Sequence, residues 1–257
     1  KDTNIASATS GSGGVVAGSA ASANTVTMSS TLAAVGSSSC GVASPSCGIV
    51  TGRFSVHGEH DSVYNGKVDS VQASVAGASG SNNHHVVTST LDVEVGDNAK
   101  VTAGSINVSA LNAAHKPWWG RFDDANTTAV ADNAAWNVDS GSGGLIGAPA
   151  GSTLADVTLA TTLSLGSNGM FHVVLPMAGT GAFTIDANNR VVAYDKVKID
   201  SGGAIALADS STRNNVDAQA DVDLGAGTVV SSDSGDIAIG SRTDARIDAR
   251  AVANAYG

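Results

Sequence analysis

The chain contains little of the material from which helices and bulky cores are built. Aromatic residues make up only 4% of its 257 residues, lysine is sparse, and only two residues are glutamate. Glutamate, lysine and leucine favour helices, and aromatic rings fill large cores. Their scarcity argues against a helical bundle and against a thick globular interior.

Further absences exclude classes of partner. No run of 18 apolar residues occurs, so the sequence predicts no membrane-spanning helix. The net charge is −10 and no cluster of lysine and arginine is present. Binding to phosphate groups requires clustered positive side chains, so we expect no nucleic-acid partner and no binding to an anionic membrane. The chain begins at Lys1 without a signal peptide, and we interpret it as a mature product or a fragment of a longer chain.

Small residues, valine, isoleucine and 31 glycines are what the chain does contain. Apolar and polar residues alternate in many segments, which is the pattern of half-buried strands. In residues 91–95 the alternation places Leu91, Val93 and Val95 on one face, and residues 105–110 repeat it. We expect strands of about four to six residues separated by tight turns.

Two short motifs recur in fixed phase and indicate an internal repeat of about 60 residues. The first motif is an apolar residue followed by Asp-Ser, and the second is an apolar residue followed by glycine. The first occurs at Val68-Asp69-Ser70, Val138-Asp139-Ser140 and Ile199-Asp200-Ser201, with a looser copy at Ile5-Ala6-Ser7. The second occurs at Val35-Gly36, Val95-Gly96, Leu165-Gly166 and Leu224-Gly225.

The repeat predicts an all-β protein that forms one β-solenoid domain over residues 1–257. The repeats run approximately over 1–64, 65–136, 137–194 and 195–257. Each repeat divides into three coils of roughly 20 residues, which gives about twelve coils. A sandwich, or a string of sandwiches, is the alternative architecture, although the repeat is short for an immunoglobulin-like module.

The aromatic residues suggest how the repeats continue. Tyr64, Trp136 and Tyr194 each precede a copy of the first motif, and Tyr256 follows Tyr194 at the same interval. We therefore expect the chain to begin and end at the same phase of the repeat. No atypical polar cap is visible at either end, so we expect the partners to be copies of the chain stacked head to tail, or neighbouring repeats of a longer chain.

Several of these segments resemble the repeats of very large bacterial surface proteins, namely filamentous adhesins of the leukotoxin-like and haemagglutinin-like type. The segments that carry the resemblance are residues 10–18, 138–147 and 194–206, with a companion motif at 92–99 and 221–225. The resemblance implies a right-handed parallel β-helix displayed on the bacterial cell surface, in adhesion or matrix building. It supplies no catalytic residues.

An insert at 113–127 interrupts the repeat and holds the candidate contact residues Trp118, Trp119, Arg121 and Phe122. Neighbouring residues on a strand face opposite ways, so one tryptophan ring would point outward. Three interpretations stay open for these residues: a loop folded onto the flank, a subunit contact, and a site that stacks on sugar.

Two further features are candidate structural sites. Cys40 and Cys47 bracket a short loop that a disulfide could close, and two unpaired thiols are the alternative. Near the carboxyl end, charges alternate with small apolar residues at a period of two, which predicts a strand with a charge ladder on its outer face. The ladder comprises Arg242, Asp244, Arg246, Asp248 and Arg250. A solvated outer face and a lateral docking surface are the two interpretations of it.

The sequence gives little support for a metal site, a cofactor or an enzymatic activity. We interpret His84-His85 as a loop, and no histidine spacing matches a metal motif. We expect no cofactor, although calcium at aspartate-rich turns stays open. The sequence therefore predicts a structural, non-enzymatic extracellular protein that builds a fibre or an adhesin shaft. A carbohydrate-binding or polysaccharide-degrading β-helix is the alternative, with surface glycans as its ligands.

Overall fold

The computed structural model describes residues 1–36, 48–117, 136–174 and 181–257. This part of the chain forms strands without a single helix, so the protein is all-β, and no helix there is long and apolar enough to cross a membrane. The strands are β1 (Asp2–Val35), β2 (Gly48–Thr51), β3 (Phe54–Val95), β4 (Lys100–Ala103), β5 (Ile106–Lys116), β6 (Val138–Gly143), β7 (Ile146–Gly147), β8 (Ala150–Leu165), β9 (Met170–Val173), β10 (Phe183–Gly202), β11 (Ile205–Ala206), β12 (Asp209–Leu224), β13 (Val229–Ser232) and β14 (Ile237–Tyr256).

Every strand pairing is parallel and joins residues that lie about one repeat apart. Asp2 pairs with Ser62, and Phe54 pairs with Ile106. The same register position then continues from Ile106 to Phe183 and from Phe183 to Ile237. The chain is thus a stack of layers in which each layer forms backbone hydrogen bonds with the next.

We number the layers along the chain, and we use "column" for residues that occupy the same register position in successive layers. Only described residues are assigned to layers: layer 1 lies within 1–53, layer 2 within 54–105, layer 3 within 106–182, layer 4 within 183–236 and layer 5 within 237–257. One ten-stranded sheet runs through all layers, and a four-stranded sheet joins β2, β4, β9 and β13.

The expectation of twelve short coils is not confirmed, because partners in the ladders are 52 to 77 residues apart rather than about 20. The strands are also longer than expected, since β1 contains 34 residues and β3 contains 42. Strand β3 bends, because the Asn83 side chain donates a hydrogen bond to the carbonyl of Gly66 in the same strand, and the ladder to β1 extends from Ser62 to Val95 across this bend. The ladder hydrogen bonds therefore continue around the bend, and the strand does not end there.

The insert begins later than the sequence suggested. Residues 113–116 belong to β5, and Val63 pairs with His115 at an interval of 52 residues. Beyond residues 118–135, Val68 pairs with Val138 at an interval of 70. The difference equals the length of 118–135, so the register on both sides of the insert is the same.

The second sequence motif lies in a single column. The apolar residue of each copy pairs with the apolar residue of the copy in the next layer, and a glycine follows it in every copy. The apolar residues are Val35, Val95, Leu165 and Leu224. A Cβ on Gly166 would lie 2.4 Å from the backbone nitrogen of Asp97. Glycine is therefore required where these turns stack. The predicted turn continues to Asn98 and Asn168, which adopt positive φ values of 58° and 56°.

The first motif is only partly in register. Val68-Asp69-Ser70 pairs residue for residue with Val138-Asp139-Ser140. In layer 4, however, Val138 pairs with Val197 rather than with Ile199. The observed pairing differs by two residues from the pairing that the motif predicts. Because side chains alternate with a period of two, both pairings keep the same side chains facing inward.

The expected aromatic phase is wrong. Tyr64 lies in the column of Asn4, Tyr194 pairs with Asp248, and Tyr256 pairs with Gly202. The aromatic residues therefore occupy different columns. Their spacing in sequence does not correspond to one position in the stack.

Four strands pair in a closed ring of parallel ladders. β3 pairs with both β5 and β6, and β10 also pairs with both. β5 and β6 are two parts of layer 3 on either side of the insert. They lie between the long strands of layers 2 and 4, and this position closes the ring.

The interior consists of three apolar clusters. The largest includes the predicted inward residues Leu91, Val93 and Val95, and its large rings among the described residues are Phe54, Phe171 and Phe183. A second cluster surrounds Tyr64, and a third surrounds Val68. Each cluster draws residues from several layers, so the core runs along the stack.

Leu163→Ala tests the contribution of this core. Leu163 is fully buried, and we expect the substitution to lower the free energy of unfolding by about 3 kcal/mol because it leaves a cavity. Leu32→Ala is the matched control, because Leu32 is 66% exposed and its loss should change stability by less than about 0.5 kcal/mol. Urea unfolding measures both, and equal losses would contradict the layered core.

Candidate functional site

The core is open at the last layer. Three isoleucines of β14 occupy inward-facing columns, and the residues of layer 4 in the same columns are buried. Ile237 pairs with Phe183, Ile239 with Ile185, and Ile247 with Ala193. Those three residues of layer 4 are at most 1% exposed, whereas the three isoleucines are 44–48% exposed. Apolar side chains of the core thus face solvent at this end.

Layer 4 is open in the same way where layer 5 does not cover it. Leu224 pairs with Leu165, which is 1% exposed, but Leu224 itself is 41% exposed. At the other end, Ala33, Val35 and Ile49 pack against the largest cluster and are only partly buried. We use "last end" for the surface of Leu224, Ile237, Ile239 and Ile247, and "first end" for the surface of Ala33, Val35 and Ile49.

The charge ladder lies on the predicted strand, β14. Arg242, Arg246 and Arg250 are exposed, and Asp244 and Asp248 are partly buried. The guanidinium group of Arg250 donates hydrogen bonds of 2.7 and 2.8 Å to the carboxylate of Asp248. The opposite face of this strand is also exposed, because β14 belongs to the last end.

Other predicted site residues fall outside the residues that the structure describes. They are Cys40, Cys47, Trp118, Trp119, Arg121 and Phe122. The proposed disulfide and the proposed contact residues of the insert stay predictions.

A groove of about 630 Å³ crosses the layers on one side of the stack. Ser22, Asn82, Ser152 and Ser211 occupy one column along it, with Asp209 beside them. The residues that line this groove are small or polar, and none has an aromatic ring. The groove offers hydrogen-bonding groups but no surface on which a sugar ring could stack.

At one position the alternation of buried and exposed residues breaks down. Residues 62–66, 112–117 and 195–197 are buried on both faces of their strands. These segments stack on one another in layers 2, 3 and 4, on either side of the gap between Pro117 and Trp136 in the described residues. We call this region the neck of the insert.

Amide side chains connect the layers at the neck. Asn65 donates to the carbonyl of Pro117, and Asn137 donates to the side-chain oxygen of Asn65. Asn137 also donates to the carbonyl of Gly66 and accepts a hydrogen bond from the backbone nitrogen of Lys196. These bonds hold both sides of the insert between layers 2 and 4.

Lys116 and Asp195 lie inside the neck. Lys116 belongs to layer 3 and Asp195 to layer 4, and both side chains are 0% exposed. The Lys116 Nζ donates to Asp195 Oδ1 over 2.5 Å. Asp195 Oδ2 is buried and has no hydrogen-bond partner among the described residues.

Two further titratable side chains share this interior. Tyr64 and His85 have ring centroids 5.4 Å apart, and both side chains point inward. The His85 Nδ1 is 2.6 Å from the hydroxyl of Thr25. The Tyr64 hydroxyl and the His85 Nε2 are buried without a partner among the described residues.

Burial dominates the electrostatics of this group. It lowers the pKa of the Lys116 amine, although the negative charge of Asp195 opposes the shift. Burial also lowers the pKa of His85 to about 2, with a contribution from the positive charge of Lys116. The pKa of Tyr64 is raised by burial and, to a lesser extent, by Asp195. The surroundings therefore favour the neutral forms of Lys116, His85 and Tyr64.

This cluster was not predicted from the sequence, although the sequence contains a signal for it. Lys116 lies at the same alternation phase as Ile106, Val108 and Ala110, which were expected to face inward. Asp195 follows Ala193 in the same way. The interpretation of His84-His85 as a loop is wrong, since both residues lie within β3 and His85 is fully buried.

Within the described ranges, no group of three or more histidine, cysteine, aspartate or glutamate side chains could hold a metal ion. Asp97 lies in the turn after β3 and accepts a hydrogen bond of 2.7 Å from the backbone nitrogen of Ser167. It connects two stacked turns.

Comparison with protein-family models, with curated proteins and with solved structures finds no match for this chain. Any proposal of a function therefore rests on the geometry of the chain and on its sequence motifs.

Asn137→Ala tests the hydrogen bonds at the neck. The substitution removes three hydrogen bonds between the Asn137 side chain and buried groups of layers 2 and 4, each worth about 1 kcal/mol, so we expect the free energy of unfolding to fall by about 3 kcal/mol. Asn82→Ala is the control, because Asn82 is exposed and forms one hydrogen bond to Ser152. Urea unfolding should show a loss below about 0.5 kcal/mol for the control. Equal losses would contradict the assigned role.

Proposed function

We propose that this chain is a structural segment of an extracellular fibre or of a bacterial adhesin shaft. In this proposal the stack is a right-handed β-solenoid, and its function is to extend by adding layers at its ends. A second copy of the chain, or a neighbouring repeat of a longer chain, supplies those layers. The motifs that resemble filamentous adhesins support an extracellular, surface-displayed role.

The observation that carries the proposal is the open core of the last end. An apolar side chain costs roughly 25 cal/mol for each Å² that it exposes to water. Ile237, Ile239 and Ile247 would lose most of their exposure under one further layer, as Phe183, Ile185 and Ala193 do. The same surface presents an unpaired strand edge along β14, which can accept a parallel strand.

The register of the stack supports addition in one orientation. All ladders among the described residues are parallel, so an added layer that continues them runs in the same direction. The added layer would present its own free edge to the next one. This head-to-tail arrangement leads to an open filament rather than to a closed dimer.

The alternative function, binding or cleavage of polysaccharide, has one observation in its favour. The groove beside Asp209 presents a row of hydroxyl and amide groups across four layers. It has no aromatic side chain among its lining residues, and aromatic rings are the usual platform for sugars. Assembly therefore has the stronger support.

Substitutions at the last end test assembly. Ile239→Lys with Ile247→Lys places two charges where the next layer would pack, and burying such charges without partners is costly. We expect the unmodified chain to form concentration-dependent threads, and the double variant to remain as single rods. Sedimentation velocity and negative-stain microscopy measure the difference.

Val252→Lys is the matched control. Val252 lies on the same strand and is 39% exposed, but it occupies the outward-facing column of Lys198. Threads should persist in this variant. Rods for the unmodified chain at all concentrations, or threads in the double variant, would contradict assembly through the last end.

A further inference from the structure

We propose that Lys116 and Asp195 condense into an intramolecular isopeptide bond that joins layer 3 to layer 4. The inference concerns the interior of the stack and stands whether or not the chain assembles into a fibre. It rests on three features of the neck: the contact of the two groups, their complete burial, and the unpaired atoms around them.

The first feature is proximity. The Lys116 Nζ already lies against the carboxyl group of Asp195 as a hydrogen-bond donor to Oδ1. Both residues are on strands whose backbones are held in the ladder between layers 3 and 4. Two reacting groups that are fixed in contact avoid the entropy cost of an encounter.

The second feature is burial. Neither side chain has any exposure to solvent, and the apolar cluster of Tyr64, Val87 and Val191 lies beside them. Charges are strongly disfavoured in such surroundings. Transfer of one proton from the ammonium group to the carboxylate converts the ion pair into a neutral amine and a neutral carboxylic acid. The amine then has the free electron pair that a nucleophile needs.

The third feature is incomplete compensation of the charges. A buried ion pair is well tolerated only when its remaining hydrogen-bonding atoms are satisfied. Here Asp195 Oδ2 has no partner among the described residues, and neither does the nearby Tyr64 hydroxyl. An amide needs fewer partners, because condensation removes one of the two carboxyl oxygens.

The reaction balances without a co-reactant. The electron pair of the Lys116 Nζ attacks Asp195 Cγ, and the C–O bond to one carboxyl oxygen breaks. That oxygen leaves as water, carrying the proton of the acid and one proton of the amine. The product is a neutral secondary amide between the two side chains.

Intact mass spectrometry of the denatured and reduced chain tests the bond. We expect a mass about 18 Da below that calculated from the sequence, because one water is lost. Reduction removes any contribution from a disulfide. Peptide mapping should place Lys116 and Asp195 in one branched fragment. A chain at its full calculated mass would overturn the proposal.

Three variants locate the bond. Lys116→Arg keeps a positive charge but removes the amine, and Asp195→Ala removes the carboxyl group, so both should appear at their full calculated masses. Lys196→Arg is the control at the neighbouring buried lysine, whose Nζ lies 5.7 Å from the centroid of the Trp136 ring. This control should keep the deficit. A deficit that persists in Lys116→Arg would place the loss of water elsewhere and overturn the assignment.

Discussion

Parallel hydrogen bonding between layers, in one register, is the constraint on which the rest of the structure depends. A strand that alternates buried and exposed residues cannot slip by one position without turning its core face to solvent. The intervals between paired residues change from 60 to 52 and to 70 along the chain, yet the columns keep their faces. Changes in length are therefore confined to segments between ladders, such as residues 118–135.

This constraint explains both the composition and the two candidate sites. A core repeated in every layer needs only small apolar residues, so few aromatic rings are required. In the last described layer, core columns such as that of Ile239 are exposed. At the neck the strands are buried on both faces, and its polar residues connect layers 2, 3 and 4.

The sequence predicted the strand class, the repeat length and the stacked Gly96 turn, because each leaves a local or periodic pattern. It did not predict how many residues make one layer. A layer of 20 residues and one of 60 show the same alternation, and bends at which ladders continue look like strand ends. The Lys116–Asp195 contact was also missed, because it joins residues 79 positions apart. The alternation places the side chains of Lys116 and Asp195 in the interior, but this becomes clear only when β5 and β10 are known to extend that far.

The size of one layer is tested most directly by the distance between spin labels at Met28 and Asp217. These exposed positions belong to one column, through Thr88 and Thr158. Three layer steps of about 4.8 Å predict a separation near 14 Å between backbones, plus the length of the labels. Electron paramagnetic resonance should therefore detect strong coupling at short range. Three coils per repeat would separate the same positions by about 43 Å, and a distance in that range would contradict the stack of layers.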